Sequence, residues 1–358
     1  GIITGDRVNG AARWMTFFGI QFQPSELAKM AVIIVTAFIL SKFQEEDGAN
    51  PKAFKYIMWI TGIVFALIAP ENGSTAALLA GVVFLMMLIG RVPWKQIGKL
   101  VGTVGLGLSL LVSVIVIIPP NVYENVPGTH RFSTWQSRIK GFFEDKGAIP
   151  AAKFDIDKDA QIAHANIAIA TSNVIGKMPG NSVQRDFLSQ AFSDFIFAIV
   201  IEELGLLGGA FIVMLYLWLL IRAGRIAKRS EKHFPAFLVM GIALLLVSQA
   251  MLNMMVAVGL FPVTGQPLPL ISKGGTSTLI NCAYIGMILS VSRYVAEKEE
   301  QRRKEEMENN DAKLQAAAQA LLLQARELAA NSDLGQGDIP EQVVEEYSPL
   351  SSEQTNDN

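Results

Sequence analysis

Charged side chains at the edges of long apolar runs are the first candidates for chemistry in this sequence, because charges are costly in a membrane unless they are paired or functional. In the segment 23–29, QPSELAK, Pro24 suits the first turn of a helix. Glu26 and Lys29 are three residues apart and would share one helix face. That face could line a polar cavity, or the two side chains could form a local ion pair at a helix start. The sequence leaves both interpretations open.

A second candidate is Asp194, which follows Ser193 at the start of another apolar run. A carboxylate held at a fixed position can act as a general base. It can also serve only as a helix cap, since Ser and Asp favour the N-cap position and the positive helix end favours a negative charge. Glu202 and Glu203 lie two turns further on, and at least one should face the protein interior, because two carboxylates in lipid would be prohibitive. We interpret this pair as mainly structural, tied to groups on neighbouring helices.

A third candidate is the segment 267–277, PLPLISKGGTS, which borders the last apolar run. Its two prolines and its Gly-Gly pair predict irregular backbone, which at membrane depth is tolerated only beside protein or a water-filled cavity. The functional interpretation is a loop that dips toward a site and offers backbone N–H groups and Lys273 to an anion. The alternative is a tight external turn.

Neither a histidine metal site nor a nucleotide site is indicated by the sequence. His130, His164 and His233 are scattered and lack the spacing of metal ligands. No glycine-rich phosphate-binding or dinucleotide motif occurs, so we expect no nucleotide or organic cofactor.

The composition places these candidates in a membrane. Of the 358 residues, 51% are hydrophobic and 17% are charged, against about 25% charged in an ordinary soluble protein, and the mean hydropathy is +0.36. The apolar content excludes a disordered chain, the net charge of −2 argues against a nucleic-acid binder, and the single cysteine, Cys282, excludes a disulfide scaffold. We therefore predict an all-α integral membrane protein, a polytopic helical bundle.

Seven runs have the length and apolarity of a bilayer-crossing helix, at about 24–41, 55–70, 74–90, 98–119, 194–221, 234–260 and 275–293. Loops 91–99 and 222–233 carry an excess of Lys and Arg, which predicts that they are cytoplasmic. Residue 1 would then lie outside and the C-terminus in the cytoplasm. An odd number of spans with an external start and no signal peptide leads us to expect that the chain lacks upstream helices.

The predicted domains are a transmembrane domain, residues 1–295, and a cytoplasmic tail, residues 296–358. The transmembrane domain includes a large extracytoplasmic loop, 120–193, in which the mildly amphipathic piece 161–175 could lie along the membrane surface. In the tail, 312–330 is rich in Ala, Leu and Gln and is predicted to be helical. The polar, acidic end of the tail that follows is typical of disorder.

Six short motifs occur along the chain: NGAARW at 9–14, QPSELAK at 23–29, GNSVQ at 180–184, DFIFA at 194–198, EELG at 202–205, and PLPLIS at 267–272 with Gly274-Gly275. Together they resemble the SEDS family (shape, elongation, division and sporulation) of bacterial peptidoglycan glycosyltransferases. The GNSVQ motif and the long tail look more like the cell-division type, FtsW, than the rod-elongation type, RodA. That family has ten spans with both termini in the cytoplasm, so the resemblance implies that the seven predicted spans are its last seven.

The resemblance implies a lipid II polymerase that builds glycan strands during septum synthesis. It implies that Asp194 is the catalytic carboxylate, acting as general base in an inverting transfer. The candidate substrate-binding residues are Arg13, Glu26, Lys29, Arg131 and Lys273. The cations among them could hold the diphosphate of lipid II, and a divalent cation, Mg²⁺ or Mn²⁺, could assist the leaving group.

The resemblance also implies the partners and the location. The partners would be a class B penicillin-binding protein, other division proteins and the membrane, with no nucleic acid. The location would be the bacterial cytoplasmic (inner) membrane, at the division septum.

Two other functions fit the same pattern of polar groups in a multi-span bundle. A transporter that flips lipid II would use them for translocation, but it would form no new glycosidic bond. A non-catalytic division scaffold would use its tail to recruit partners that supply the chemistry.

Overall fold

The computed structural model describes residues 6–8, 11–17, 20–117, 156–188 and 192–331. Within these ranges, side chains are described from residue 23 onward, except at 108, 111–112, 114–117, 156–160, 162 and 329–331. The predicted loop 120–193 therefore lies partly outside the described residues, and the predicted disordered end of the tail lies outside them apart from Asn331. The described part is mostly helical.

Eight helices account for most of the described residues. They are α1 (Pro24–Lys42), α2 (Pro51–Ile68), α3 (Gly73–Ile89), α4 (Trp94–Ile117), α5 (Ile156–Thr171), α6 (Ile196–Arg229), α7 (His233–Ala257) and α8 (Gly275–Asn331). Each of the seven predicted spans corresponds to one of them, with α5 as the additional helix. Within the described residues, α1, α2, α6, α7 and α8 are long and apolar enough to cross a membrane, and α3 is apolar but has only 17 residues.

Several predicted boundaries are wrong. The amphipathic piece 161–175 is helical only as far as Thr171, where α5 ends. The span at 275–293 and the tail helix at 312–330 are parts of one helix, α8, which runs from Gly275 to Asn331. The polar stretch between them, 294–311, contains neither Gly nor Pro, the residues that most disfavour a helix, so the helix continues through it.

Short strands, which the prediction of an all-α fold did not include, precede and follow α1. The strands β1 (Asp6–Val8), β2 (Ala11–Phe17) and β3 (Ile20–Phe22) form an antiparallel sheet in the order β1-β2-β3. The strands β4 (Gln44–Glu45) and β5 (Gly48–Ala49) form a hairpin between α1 and α2.

Helix α7 lies at the centre of the bundle and contacts α1, α3 and α6. Its Gly241 allows this close packing, because a Cβ there would meet the side chains of Met86 and Ile33 at 2.7–2.9 Å. Of two buried apolar clusters, the larger consists mainly of residues from α1, α3 and α7, and the smaller mainly of residues from α6 and α7. A central helix packed on several sides is therefore available to hold groups from different elements in fixed positions.

Helix α6 is interrupted at Gly205, which has φ +73° and ψ −174°. Residues 173–178, which we call the inserted segment, satisfy the backbone groups that the break sets free. Its Lys177 and Met178 N–H groups donate to the carbonyls of Glu202 and Glu203 at 2.9 Å, while the N–H groups of Leu206 and Leu207 donate to carbonyls of the segment. A side chain at position 205 would collide with this backbone, so only glycine fits.

Candidate functional site

Asp194 lies in a turn just before α6 and is half-buried. The helix begins at Ile196 and its N-cap residue is Phe195, which has no side-chain capping bond. The interpretation of the Ser193-Asp194 pair as the N-cap is therefore wrong. The Ser193 hydroxyl donates instead to the Asp194 carboxylate, Oγ to Oδ1, at 2.9 Å.

The backbone of Asp194 is held by Asn253 of α7. The Asn253 side-chain amide donates at 2.8 Å to the carbonyl of Asp194 and at 2.8 Å to the carbonyl of Gln266, in the α7–α8 loop (residues 258–274). One side chain thus fixes the Asp194 turn and the α7–α8 loop together.

The α7–α8 loop contacts the Asp194 turn at further points. The Ser272 hydroxyl donates to the carbonyl of Ser193 at 2.7 Å, and the Lys273 N–H donates to the carbonyl of Phe192 at 2.8 Å. At Gly265, where φ is +67°, an added Cβ would lie 3.6 Å from Asp194 Oδ2. The second and third sequence candidates are therefore one structural unit, and the loop is not an isolated external turn.

Glu26 and Lys29 form a buried ion pair on α1. Lys29 Nζ lies 2.8 Å from Glu26 Oε1, and the two side chains are 0% and 6% exposed. Lys29 also donates to Gln249 Oε1 of α7 at 2.9 Å, and the Gln249 amide donates to the carbonyl of Pro267 at 3.0 Å. The pair is therefore linked, through α7, to the loop that borders Asp194.

Gln249 and Asn253 organise this arrangement, and the sequence reasoning missed both. They are four residues apart in the apolar helix α7 and so share one of its faces. Both are buried. The signal was present, because an amide side chain in an apolar span requires hydrogen-bond partners inside the protein. Gln266, which donates to the Thr75 hydroxyl of α3 at 2.8 Å, was missed as well.

Several buried polar atoms around the site have no hydrogen-bond partner within the described part of the chain. They are Ser25 Oγ, Asn253 Oδ1, Thr264 Oγ1 and Gln266 Oε1. All four belong to segments that carry the Glu26–Lys29 pair or hold the Asp194 turn. Since buried polar groups are normally paired, these atoms are available to water or to a bound polar ligand.

A cavity of ≈ 360 Å³ borders the Asp194 turn. It is lined by Pro179, Gly180, Arg185, Phe192, Ile196, Ile199, Val200, Glu203 and Leu204. Most of its wall is apolar, with one guanidinium and one carboxylate. The cavity therefore offers a ligand both apolar surface and charge next to the Asp194 turn.

Glu202 is fully buried, as expected for at least one member of the glutamate pair. It accepts hydrogen bonds from Lys177 Nζ at 2.6 Å, from Ser182 Oγ at 2.5 Å and from the N–H groups of Val183 and Gln184 at 3.2 Å. These partners lie in the loop after α5 and not on a neighbouring helix, which corrects the predicted partners. Glu202 holds that loop, one wall of the cavity, against α6.

Of the remaining predicted site residues, Lys273 contributes only its backbone, and the side chains of Arg13 and Arg131 are not described. Lys273 is exposed, and its contact with the Asp194 turn is through its backbone. Arg13 belongs to β2, and Arg131 lies outside the described residues. The structure thus brings Asp194, Glu26, Lys29 and the backbone of Lys273 into one connected region.

Comparisons with known proteins agree with the fold and the motifs. The chain matches the FtsW/RodA/SpoVE family, described as cell cycle proteins, over residues 2–297. It is 32% identical over 289 residues to the probable peptidoglycan glycosyltransferase FtsW of Geobacter sp. (strain M18), covering 80% of this chain and 73% of that protein. It is 30% identical over 313 residues to the protein of the same name from Halomonas elongata, covering 85% and 72%.

Two solved structures have a similar fold. One is a chain of a peptidoglycan synthase complex that coordinates polymerization and crosslinking. Its TM-score is 0.62 at 25% sequence identity, and the match covers 82% of this chain and 76% of that chain. The other is the rod shape determining protein RodA of Thermus thermophilus, with a TM-score of 0.52 at 23% identity, covering 81% and 72%.

Proposed function

Because the chain belongs to the FtsW/RodA/SpoVE family of cell cycle proteins, we infer that it is a peptidoglycan glycosyltransferase of the cell-division type. The observation that links this inference to a site is the position of the half-buried Asp194. Its neighbours Phe192 and Ile196 line a cavity, and Asn253 and Gln249 of α7 connect its turn to the buried Glu26–Lys29 pair. We propose that its substrate is lipid II, a disaccharide on a polyprenyl diphosphate.

In the proposed reaction, the 4-hydroxyl of the acceptor sugar attacks the anomeric carbon of the donor. The Asp194 carboxylate takes the hydroxyl proton as the new glycosidic bond forms, and the polyprenyl diphosphate leaves with the electrons of the broken bond. An α-linked donor and a β-linked product imply one inverting displacement without a glycosyl-enzyme intermediate. The bonds from Asn253 and Ser193 support this role because they restrict where the carboxylate can lie.

The developing charge on the diphosphate requires cations. Arg13, Arg131 and Lys273 remain our candidates for that role. Lys29 is a different case, because its ammonium is enclosed between Glu26 and Gln249. It can contact a diphosphate only if this pair opens, and otherwise it serves to hold α1 against α7.

A divalent cation remains part of the proposal. Among the described residues no group of three or more His, Cys, Asp or Glu side chains is placed to hold a metal ion. Mg²⁺ commonly binds through one or two carboxylates together with substrate phosphates. The fit is therefore to a cation held mainly by the diphosphate of the substrate; such an ion would neutralise charge on the leaving group.

We further propose that the protein works with a class B penicillin-binding protein and other division proteins at the septum. The similarity to a chain of a peptidoglycan synthase complex supports a partner of this kind. The basic loops 91–99 and 222–233 support a cytoplasmic C-terminus, which places Asp194 on the side of the cell wall.

The test is polymerisation of labelled lipid II by the full chain with its partner, analysed on gels. Asp194→Asn cannot accept a proton at neutral pH, so it should lower the rate by about 10²–10⁴-fold. Its thermal stability should stay near that of the unchanged protein. Asp47→Asn makes the same chemical change at an exposed carboxylate and should remain active.

An active Asp194→Asn variant would remove this residue from the catalytic role. If the unchanged protein moves lipid II across the bilayer without forming glycan, the flippase alternative is correct. If glycan forms only from the partner's own activity, the scaffold alternative is correct.

A further inference from the structure

An apolar heptad repeat occupies the end of α8. Met307, Leu314, Leu321 and Leu328 follow one another at seven-residue intervals, and they are 67%, 63%, 66% and 67% exposed. A seven-residue interval on one helix aligns side chains in a single stripe. An exposed stripe of large apolar side chains on a helix that also carries many charges is an interaction surface.

We propose that this stripe forms a parallel two-stranded coiled coil with the same stripe of a second copy of this chain. Leu314, Leu321 and Leu328 take the d positions of the heptad abcdefg, and Ala318 and Ala325 take the a positions between them. These are the two core positions of a coiled coil. All five side chains are exposed, so the stripe is open to a second helix.

The flanking positions of a paired stripe carry one pair of opposite charges and no pair of like charges. In a parallel pair, each g residue faces the e′ residue five positions further along the other chain. This pairs Arg303 with Glu308 and Asn310 with Gln315. The later g and e positions, which are 317, 322, 324 and 329, hold Ala, Leu, Gln and Ala. No like charges meet at these positions, which favours a second copy as the occupant.

The membrane imposes the parallel direction. In each copy the heptads follow the last membrane-spanning segment in the chain, so copies with the same orientation in one bilayer present them in the same direction. Ala at the a positions buries little area, which makes the association weak in free solution. Confinement to one membrane raises the effective concentration of the two helices, as a linker does.

Asp311 ends the apolar core of the proposed coiled coil on the side nearer the membrane. It occupies the a position before Leu314, so two copies would bring two carboxylates together in the core. An apolar side chain there should extend the apolar core by one position. This gives the proposal a variant that raises the yield of dimers of this chain, which a docking site for lipid or for an unrelated protein does not predict.

Disulfide cross-linking of the full chain in membranes tests the proposal. In a Cys282→Ala background, Leu321→Cys places a thiol at a d position and Leu323→Cys places one at an f position of the same turn. Facing d positions lie within the roughly 4.4–6.8 Å between Cα atoms that a disulfide spans. Facing f positions are about 13–14 Å apart between Cα atoms, from the interaxial distance and the helix radius.

We expect oxidation to produce disulfide-linked dimers of Leu321→Cys and mainly monomers of Leu323→Cys. Adding Asp311→Leu should raise the dimer yield of Leu321→Cys, and adding Leu314→Glu should lower it. Equal yields from the two cysteines, no dimer from Leu321→Cys, or an adduct with another protein in place of the dimer would each overturn the proposal. So would an unchanged yield after Asp311→Leu.

Discussion

Replacing Lys29 with Met tests the buried pair that links α1 to the site. The change removes the ammonium that lies 2.8 Å from Glu26 Oε1 and 2.9 Å from Gln249 Oε1, in a side chain that is 0% exposed. Removing one partner of a buried ion pair costs about 3–5 kcal/mol, because the remaining charge is left uncompensated. The free energy of unfolding of Lys29→Met should fall by that amount.

The double variant Glu26→Gln with Lys29→Met should be more stable than Lys29→Met alone, because no buried charge remains. The loss that persists should be about 1–3 kcal/mol, from the Gln249 carbonyl that no longer receives a hydrogen bond. The two effects are therefore strongly non-additive, and a double-mutant cycle of unfolding in detergent measures the coupling. Arg302→Met, which breaks an exposed pair with Glu306 on α8, should leave the unfolding temperature unchanged.

Polymerisation of lipid II by the same variants separates the two roles of Lys29. If Lys29 only holds α1 against α7, the double variant should recover activity together with stability. If Lys29 also binds the diphosphate, the double variant should recover stability and remain inactive. Additive losses of stability would refute the reasoning from burial, and full activity of Lys29→Met would remove the residue from the site.

Three further predictions concern the surroundings of the site. Asn253→Leu removes the hydrogen bonds to the carbonyls of Asp194 and Gln266, and it should lower the polymerisation rate by about 10²-fold if a reacting group shifts by about 1 Å. Gly205→Ala should lower the unfolding temperature, because the added Cβ would collide with the inserted segment, whereas Gly224→Ala has open space and should not. A cysteine probe at position 150 should be labelled from outside the cell and one at position 228 should not, as the basic loops predict.

Each of these predictions has a contradicting result. An Asn253→Leu variant with an unchanged rate shows that other contacts suffice to place the carboxylate. Equal unfolding temperatures for the two glycine variants show that the inserted segment moves aside at little cost. Labelling at position 228 and not at 150 reverses the topology and puts Asp194 on the cytoplasmic side.

The seven hydrophobic runs and the family could be read from the sequence. Apolar runs of about 20 residues must form helices, since lipid cannot satisfy backbone groups, and this rule acts on local composition. The motifs around Asp194 and Glu26 identified the family in the same direct way. The local signals were weaker at helix ends: Ser193-Asp194 was one possible N-cap, and the N-cap lies at Phe195.

The connections between the candidate residues depended on the three-dimensional packing. Glu26 and Gln249 are more than two hundred positions apart in sequence, and Lys29 joins them because α1 packs against α7. The break of α6 at Gly205 depends on hydrogen bonds to the inserted segment, which the sequence around Gly205 does not predict. Which polar group finds a partner inside a bundle depends on which helix faces lie together, and that is a property of the whole packing arrangement.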